Sequence, residues 1–203
     1  MTNLHAEDRY NRLAIAVELL RNGYRTRIIQ AETGLTAGAI RKLCWGILGK
    51  PATPGLLPEA SSVTISWGRC ADAALFAGIY YEVGGDSIYR NIDLYLVLDA
   101  HSIYQIVREQ IDQMPTRQGD ERPKILDINH AWVIARDLRA STAVLAVCSN
   151  LSCRYHNLLV VGSHKKLACA LCQAPARPIS QASQRATAFQ LPRGGNVWGE
   201  RVP

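Results

Sequence analysis

A chain of 203 residues, 48% hydrophobic and 20% charged, carries enough apolar material for one sizeable core. No run approaches the roughly 18 consecutive apolar residues that a membrane span requires, and Glu7 and Asp8 stand where a secretory leader would place its basic start. Both features point to a cytoplasmic protein. The net charge of +6 is segregated: residues 1–50 hold eight Lys/Arg against four Asp/Glu, residues 51–140 eight against twelve, and residues 141–203 seven against one. Two positive ends around an acidic middle suit a phosphate backbone better than a uniformly solvated surface does.

Tyr10, Leu13, Ala14, Val17 and Leu20 recur at helical spacing among charged residues and predict a first helix, which Gly23 ends. A short helix is expected over Arg25 to Glu32, and another from Ala37 to Leu48. Between 49 and 62 the breakers Gly49, Pro51, Pro54, Gly55 and Pro58 mark a loop. Helical patterns resume at Val63–Val83, break at Gly84-Gly85, and run again from Ser87 to Gln113. A polar loop, Pro115–Pro123, precedes a helix over Ile125–Leu138. Tyr80, Tyr81, Tyr89, Tyr95 and Tyr104 recur through this acidic middle and read as a protein-binding surface, since a phenol pairs an apolar ring with a polar tip.

The last third changes character. Thr142–Val147, Leu158–Val161 and Lys166–Ala168 are short, apolar and partly β-branched, and Gly162-Ser163 predicts a hairpin between the latter two. Beyond Pro178 the chain is rich in Gln, Ser, Ala and Arg, a composition expected to be disordered on its own. The divisions that follow are a helix-turn-helix-like unit (1–50), a central helical region (51–140), a cysteine module (141–178) and a basic tail (179–203).

Of the six cysteines, Cys44 and Cys70 sit in helical patterns and read as small buried residues. The other four form two pairs, Cys148 with Cys153 and Cys169 with Cys172, fifteen residues apart. Tetrahedral zinc takes four soft ligands, and two cysteine-bearing turns joined by a hairpin supply them. His156 and His164 are alternatives to Cys153 as a ligand. Such a site is structural, one ion with every position filled by protein. Arg154, His164, Lys165 and Lys166 lie close in sequence to offset the negative charge of four thiolates.

Catalytic readings of the same residues fail on spacing. Gln173 follows Cys172, where haem attachment needs histidine, and Ala168 precedes Cys169, where a zinc deaminase needs proline. No phosphate loop, nucleophile elbow or metalloprotease motif is present in the sequence, so the expectation is a protein that is not an enzyme.

Residues 28–43 fit a helix-turn-helix. Gly34 suits the turn, Leu35 packs inward, Thr36 caps the second helix, and Arg41 and Lys42 point outward opposite Ile40 and Leu43. The candidate DNA contacts are Arg25, Arg27, Thr36, Arg41 and Lys42 in this unit, with Lys165, Lys166 and Arg177 at the other basic end.

The run E-T-G-L-T-A-G-A-I-R-K-L (32–43), then G-K-P-A-T-P-G-L-L-P (49–58), resembles the N-terminal third of the FlhC family of flagellar transcriptional activators. Trp67, Leu75-Phe76, Leu94-Tyr95-Leu96 and Ala131-Trp132 with Arg136 continue the resemblance, and C-A-L-C-Q-A-P-A-R (169–177) is its most specific part. Two departures mark a divergent member: a four-residue gap in the first cysteine pair where the family has two, and Ser61-Ser62-Val63-Thr64-Ile65 where it is aromatic-rich. The resemblance implies a mainly helical protein with one structural zinc. It further implies a hetero-oligomer with an FlhD-like partner that binds DNA and activates flagellar genes, with RNA polymerase as a further candidate partner.

Overall fold

The computed structural model describes residues 2–53, 55–59, 63, 67–113, 125–161, 169, 172 and 174–178. Their architecture is mainly helical, with α1 (Thr2–Arg21), α2 (Thr26–Thr33), α3 (Ala37–Leu48), α4 (Trp67–Gly84), a 3-10 turn (Gly85–Tyr89), α5 (Leu94–Gln113) and α6 (Ile128–Arg139). Three short strands follow: β1 (Ala143–Cys148), β2 (His156–Val160) and β3 (Ala176–Pro178). The order in the sheet is β2-β1-β3, with both pairings antiparallel.

One apolar cluster runs from Ala16, Leu19 and Leu20 of α1 to Leu145 and Leu158 of the sheet. The buried face of α1 is therefore offset from the one read in the sequence. Tyr10 is 71% exposed and Ala14 is exposed as well, because three- and four-residue spacing fits more than one stripe of a helix. The tyrosine reading needs a similar correction. Tyr80 and Tyr104 are fully buried, stacked on or set edge-on to Phe76 at 5.8 and 6.3 Å, and only Tyr95 of the five is exposed. The tyrosine pattern belongs largely to the core.

α6 is the central strut. Its buried residues reach almost all the way round, from Ile128 and Asn129 to Asp137 and Leu138. Asp127 caps it by accepting from the His130 amide at 2.9 Å. A buried ion pair, Arg108 Nε to Asp72 Oδ1 at 2.9 Å, links α5 to α4, and Arg108 also meets Asp112 one turn on.

The long helix expected from Ser87 begins instead at Leu94. Asp93 Oδ1 accepts from the amides of Tyr95 and Leu96 at 2.9 and 3.2 Å, the cap that starts the helix there. Ser87 and Ile88 lie in the 3-10 turn, where Ser87 Oγ donates to the Gly84 carbonyl at 2.7 Å. The described strand pairings centre on β1. β2 pairs with β1, Leu145 opposite Leu158, because the apolar β1 is long enough to take a neighbour on each side. Lys166–Ala168 and Gly162-Ser163 lie outside the described residues, as does the 179–203 tail.

Candidate nucleic-acid interface and metal centre

α2 ends in Gly34, whose φ of 67° is the left-handed conformation that glycine adopts without strain, and its amide donates to the Gln30 carbonyl. Two residues later Thr36 accepts from the Ala39 amide at 3.3 Å and starts α3. The turn is thus closed at both ends by short-range bonds. Ile28, Ile29, Ile40 and Cys44 are buried between the pair and the body, while Arg27, Arg41 and Lys42 are exposed. Cys44 fits its reading as a small buried residue, its thiol donating to the Lys50 carbonyl at 3.3 Å; Cys70 is half-buried.

The unit is seated by polar bonds as well as by hydrocarbon. Asn129 of α6 accepts from the Arg25 amide at 2.8 Å and donates to the Gly23 carbonyl at 3.3 Å, and Trp132 Nε1 donates to Glu32 at 2.8 Å. Arg25 itself is half-buried, and its guanidinium donates to the Leu56 carbonyl at 2.6 Å, tying the proline-rich loop to the start of α2. Sequence reasoning gave Arg25 a phosphate-contacting role alone and missed Trp45, which is 58% exposed on α3. Its signal was its place three and four residues after Lys42 and Arg41.

The four cysteines converge. Their sulfurs all lie within 4.8 Å of one another, with Cys148 to Cys172 at 3.3 Å and Cys153 to Cys169 at 3.7 Å. Cys148 is the last residue of β1, and the chain then turns through 149–154. Within that turn Asn150 Oδ1 accepts from Ser152 and the Asn150 carbonyl accepts from Cys153 and Arg154, each at 3.0 Å. Arg154 closes it at a φ of 46°. This turn is why a four-residue gap still returns Cys153 to Cys148. Across the site the Cys169 amide donates to the Ala174 carbonyl at 2.7 Å.

Cys148 and Cys169 are buried, Cys153 half-buried and Cys172 exposed. Burial pushes the Cys148 thiol up to about 12, against the lowering effect of the Asn150 amide and with help from the three neighbouring sulfurs. Such a group is a poor thiolate until a cation joins it, and the four together can hold one metal ion. His156 stands apart from the cluster. Its ring lies 5.9 Å from that of Tyr81, and its Cβ is 3.4 Å from where a Cβ on Gly78 would sit, so it packs β2 onto α4. Tyr155 completes that joint, donating to the Ala71 carbonyl at 2.9 Å.

Lys165, Lys166 and His164 lie outside the described residues. Arg177 sits in β3, paired with Val147 of β1. No helix among the described residues is long and apolar enough to cross a membrane.

The family model described as "Flagellar transcriptional activator (FlhC)" matches residues 4–185. The flagellar transcriptional regulator FlhC of Gallionella capsiferriformans (strain ES-2) is 28% identical over 171 residues, covering 81% of this chain and 85% of that protein. Its counterpart from Proteus mirabilis is 25% identical over 175 residues, covering 83% and 82%. The Serratia marcescens protein of the same name is 24% identical over 172 residues, covering 83% and 81%. Matched over nearly its whole length, the chain belongs to the FlhC family of flagellar transcriptional regulators.

Proposed function

We propose that this chain is a DNA-binding activator of flagellar genes. In this reading it works in a hetero-oligomer with an FlhD-like subunit, and one structural zinc completes its C-terminal module. The observation that carries the DNA reading is the α2–α3 unit, a capped helix pair that presents Arg41 and Lys42 to solvent. From Thr33 to Pro58 the sequence holds Arg41, Lys42 and Lys50 and not one Asp or Glu, so no carboxylate of this segment competes for those cations. Arg27, Thr36 and Arg25 lie on the same unit, and Lys165, Lys166 and Arg177 give the second basic end.

Zinc fits the sulfur geometry. Four thiolates about 2.3 Å from a common centre stand about 3.8 Å apart at tetrahedral corners, close to the 3.3 and 3.7 Å of the two measured pairs. When bound, the ion fixes the two turns to each other; the residues around it bind and orient, and none does chemistry.

The partner part is supported by α5. Ile103, Ile106 and Ile111 are exposed on it, apolar side chains of the kind a second subunit covers. Recruitment of RNA polymerase belongs to the same reading of activation.

Fluorescence anisotropy with a duplex carrying the upstream region of a flagellar operon tests the DNA reading. Reversing Arg41 and Lys42 to Glu is expected to weaken binding and to lower the slope of log affinity against log salt by about 2, one for each lost phosphate contact. Equal affinity and slope in the variant would refute the assignment of this face.

A further inference from the structure

α3 has an outward arc of unusual composition. At about 3.6 residues per turn, Gly38, Arg41, Lys42, Trp45 and Gly46 fall on one side of the helix, opposite the buried Ile40 and Cys44. Trp45, more than half exposed, is the one large apolar side chain on that arc. An indole left in water at the centre of a cationic face forgoes burial that the core offers to Leu43 and Leu48 on the same helix.

The two helical glycines are unexplained by packing. A Cβ added at Gly38 or at Gly46 meets nothing within 4 Å, and neither adopts a positive φ, unlike Gly34 and Gly49 at the helix ends. Glycine is a poor helix former, so keeping two of them in a twelve-residue helix, with open space beside each, works against the fold. Their effect is to let a surface approach the α3 backbone on both sides of Trp45. The absence of acidic residues from Thr33 to Pro58 makes that surface an anionic one.

We infer that Trp45 is a base-reading contact of this chain, packing its indole against a thymine methyl group in the major groove. This deepens the DNA-binding reading and rests on it. α3 lies in the groove, Gly38 and Gly46 allow its backbone to come close, and Arg41 and Lys42 hold the flanking phosphates. A thymine methyl is the apolar feature of a major-groove edge and the one such edge that an indole recognises by contact alone. The ligand is therefore duplex DNA with an A·T pair at the position facing Trp45.

The test uses the full chain, alone and co-purified with an FlhD-like subunit. It compares a flagellar upstream duplex with the same duplex in which deoxyuridine replaces thymidine and so removes only the methyl groups. Wild-type protein is expected to lose about tenfold in affinity on the uracil duplex. Trp45→Ala is expected to bind both duplexes alike, at the weaker value. Gly46→Ala is expected to keep or raise the melting temperature while weakening binding to the thymine duplex, an outcome that a purely structural glycine would not give. Trp45→Ala that still distinguishes the two duplexes overturns the inference, as does a variant that loses the partner subunit while keeping its DNA affinity. Wild-type protein that binds neither duplex defeats the DNA-binding reading itself.

Discussion

At its N-terminal end the body holds α2 and α3 through a broad apolar seam, with Asn129 and Trp132 of α6 bonded across it. At its C-terminal end it meets a three-stranded sheet through α6 against β1 and through a face of α4, where Gly78, Ala71 and Tyr81 lie against His156 and Tyr155. Beyond that face lie four sulfurs within 4.8 Å of one another and the tight turn through 149–154. The contrast teaches where stability resides. The first unit is held by burial and by bonds to α6, whereas the far end of the second, past the buried Leu145 and Leu158, gathers four sulfurs that can hold one metal ion.

If zinc fills the site as proposed, its removal is the largest perturbation that separates the two. Structural zinc contributes about 10–16 kcal/mol to folding in small zinc modules. Chelation or Cys169→Ser is therefore expected to abolish hydrogen-exchange protection in β1, β2 and β3 while α1–α3 keep theirs. Loss of protection in both regions at the same chelator concentration would erase the distinction.

The converse cut is smaller. Asn129→Ala removes the acceptor of the Arg25 amide and the donor to the Gly23 carbonyl, and leaving such a group unsatisfied costs about 1–3 kcal/mol. Metal content is expected to remain unchanged while denaturant unfolding shifts to lower concentration and α2 exchanges faster. A variant that also loses metal would show the two ends to be coupled.

The smallest effect is one of pH and spans both regions. Burial lowers the pKa of His101, against the Leu126 carbonyl and Asp127, and it lowers that of His156, against Glu82. The unfolded chain then binds more protons than the folded one as pH falls through the ordinary histidine value of 6.5. Stability is full above that pH and declines below it, levelling off once the folded values are passed. Melting temperature should therefore drop between neutral pH and about pH 5, and His101→Gln should flatten part of the drop. A melting temperature independent of pH over that range would contradict the burial of both rings.

Much of this organisation is legible in the sequence where one residue acts locally. Gly34, Thr36 and Gly49 bracket α3 at Ala37–Leu48, as the sequence reading expects, because caps and left-handed turns are decided within a few residues. The cysteine pairs likewise announce their convergence. What escapes is non-local. β1 is recognisable as a strand, but nothing in its alternation names β2 and β3 as its neighbours. Tyr80 and Tyr104 resemble surface residues in composition and become core through the packing of α4 on α5. The start of α5 turns on Asp93, a cap that competes with the apolar run from Ile88, and the cap prevails. Arg25 cannot be told from a free cation until Leu56 is seen to accept from it.

The order β2-β1-β3 has a consequence for the chain as it leaves the ribosome. β1 is made first yet lies in the middle, and a sulfur 3.3 Å from that of Cys148 belongs to Cys172, twenty-four residues later. A nascent chain that has emerged only as far as β2 holds two of the four clustered thiols, Cys148 and Cys153, and one pairing of the sheet, an incomplete ligand set. Closure waits for Cys169, Cys172 and the strand behind them. A chain that stops after β2 is therefore expected to bind zinc far more weakly than the full chain, which a metal titration of a truncation at residue 161 would check.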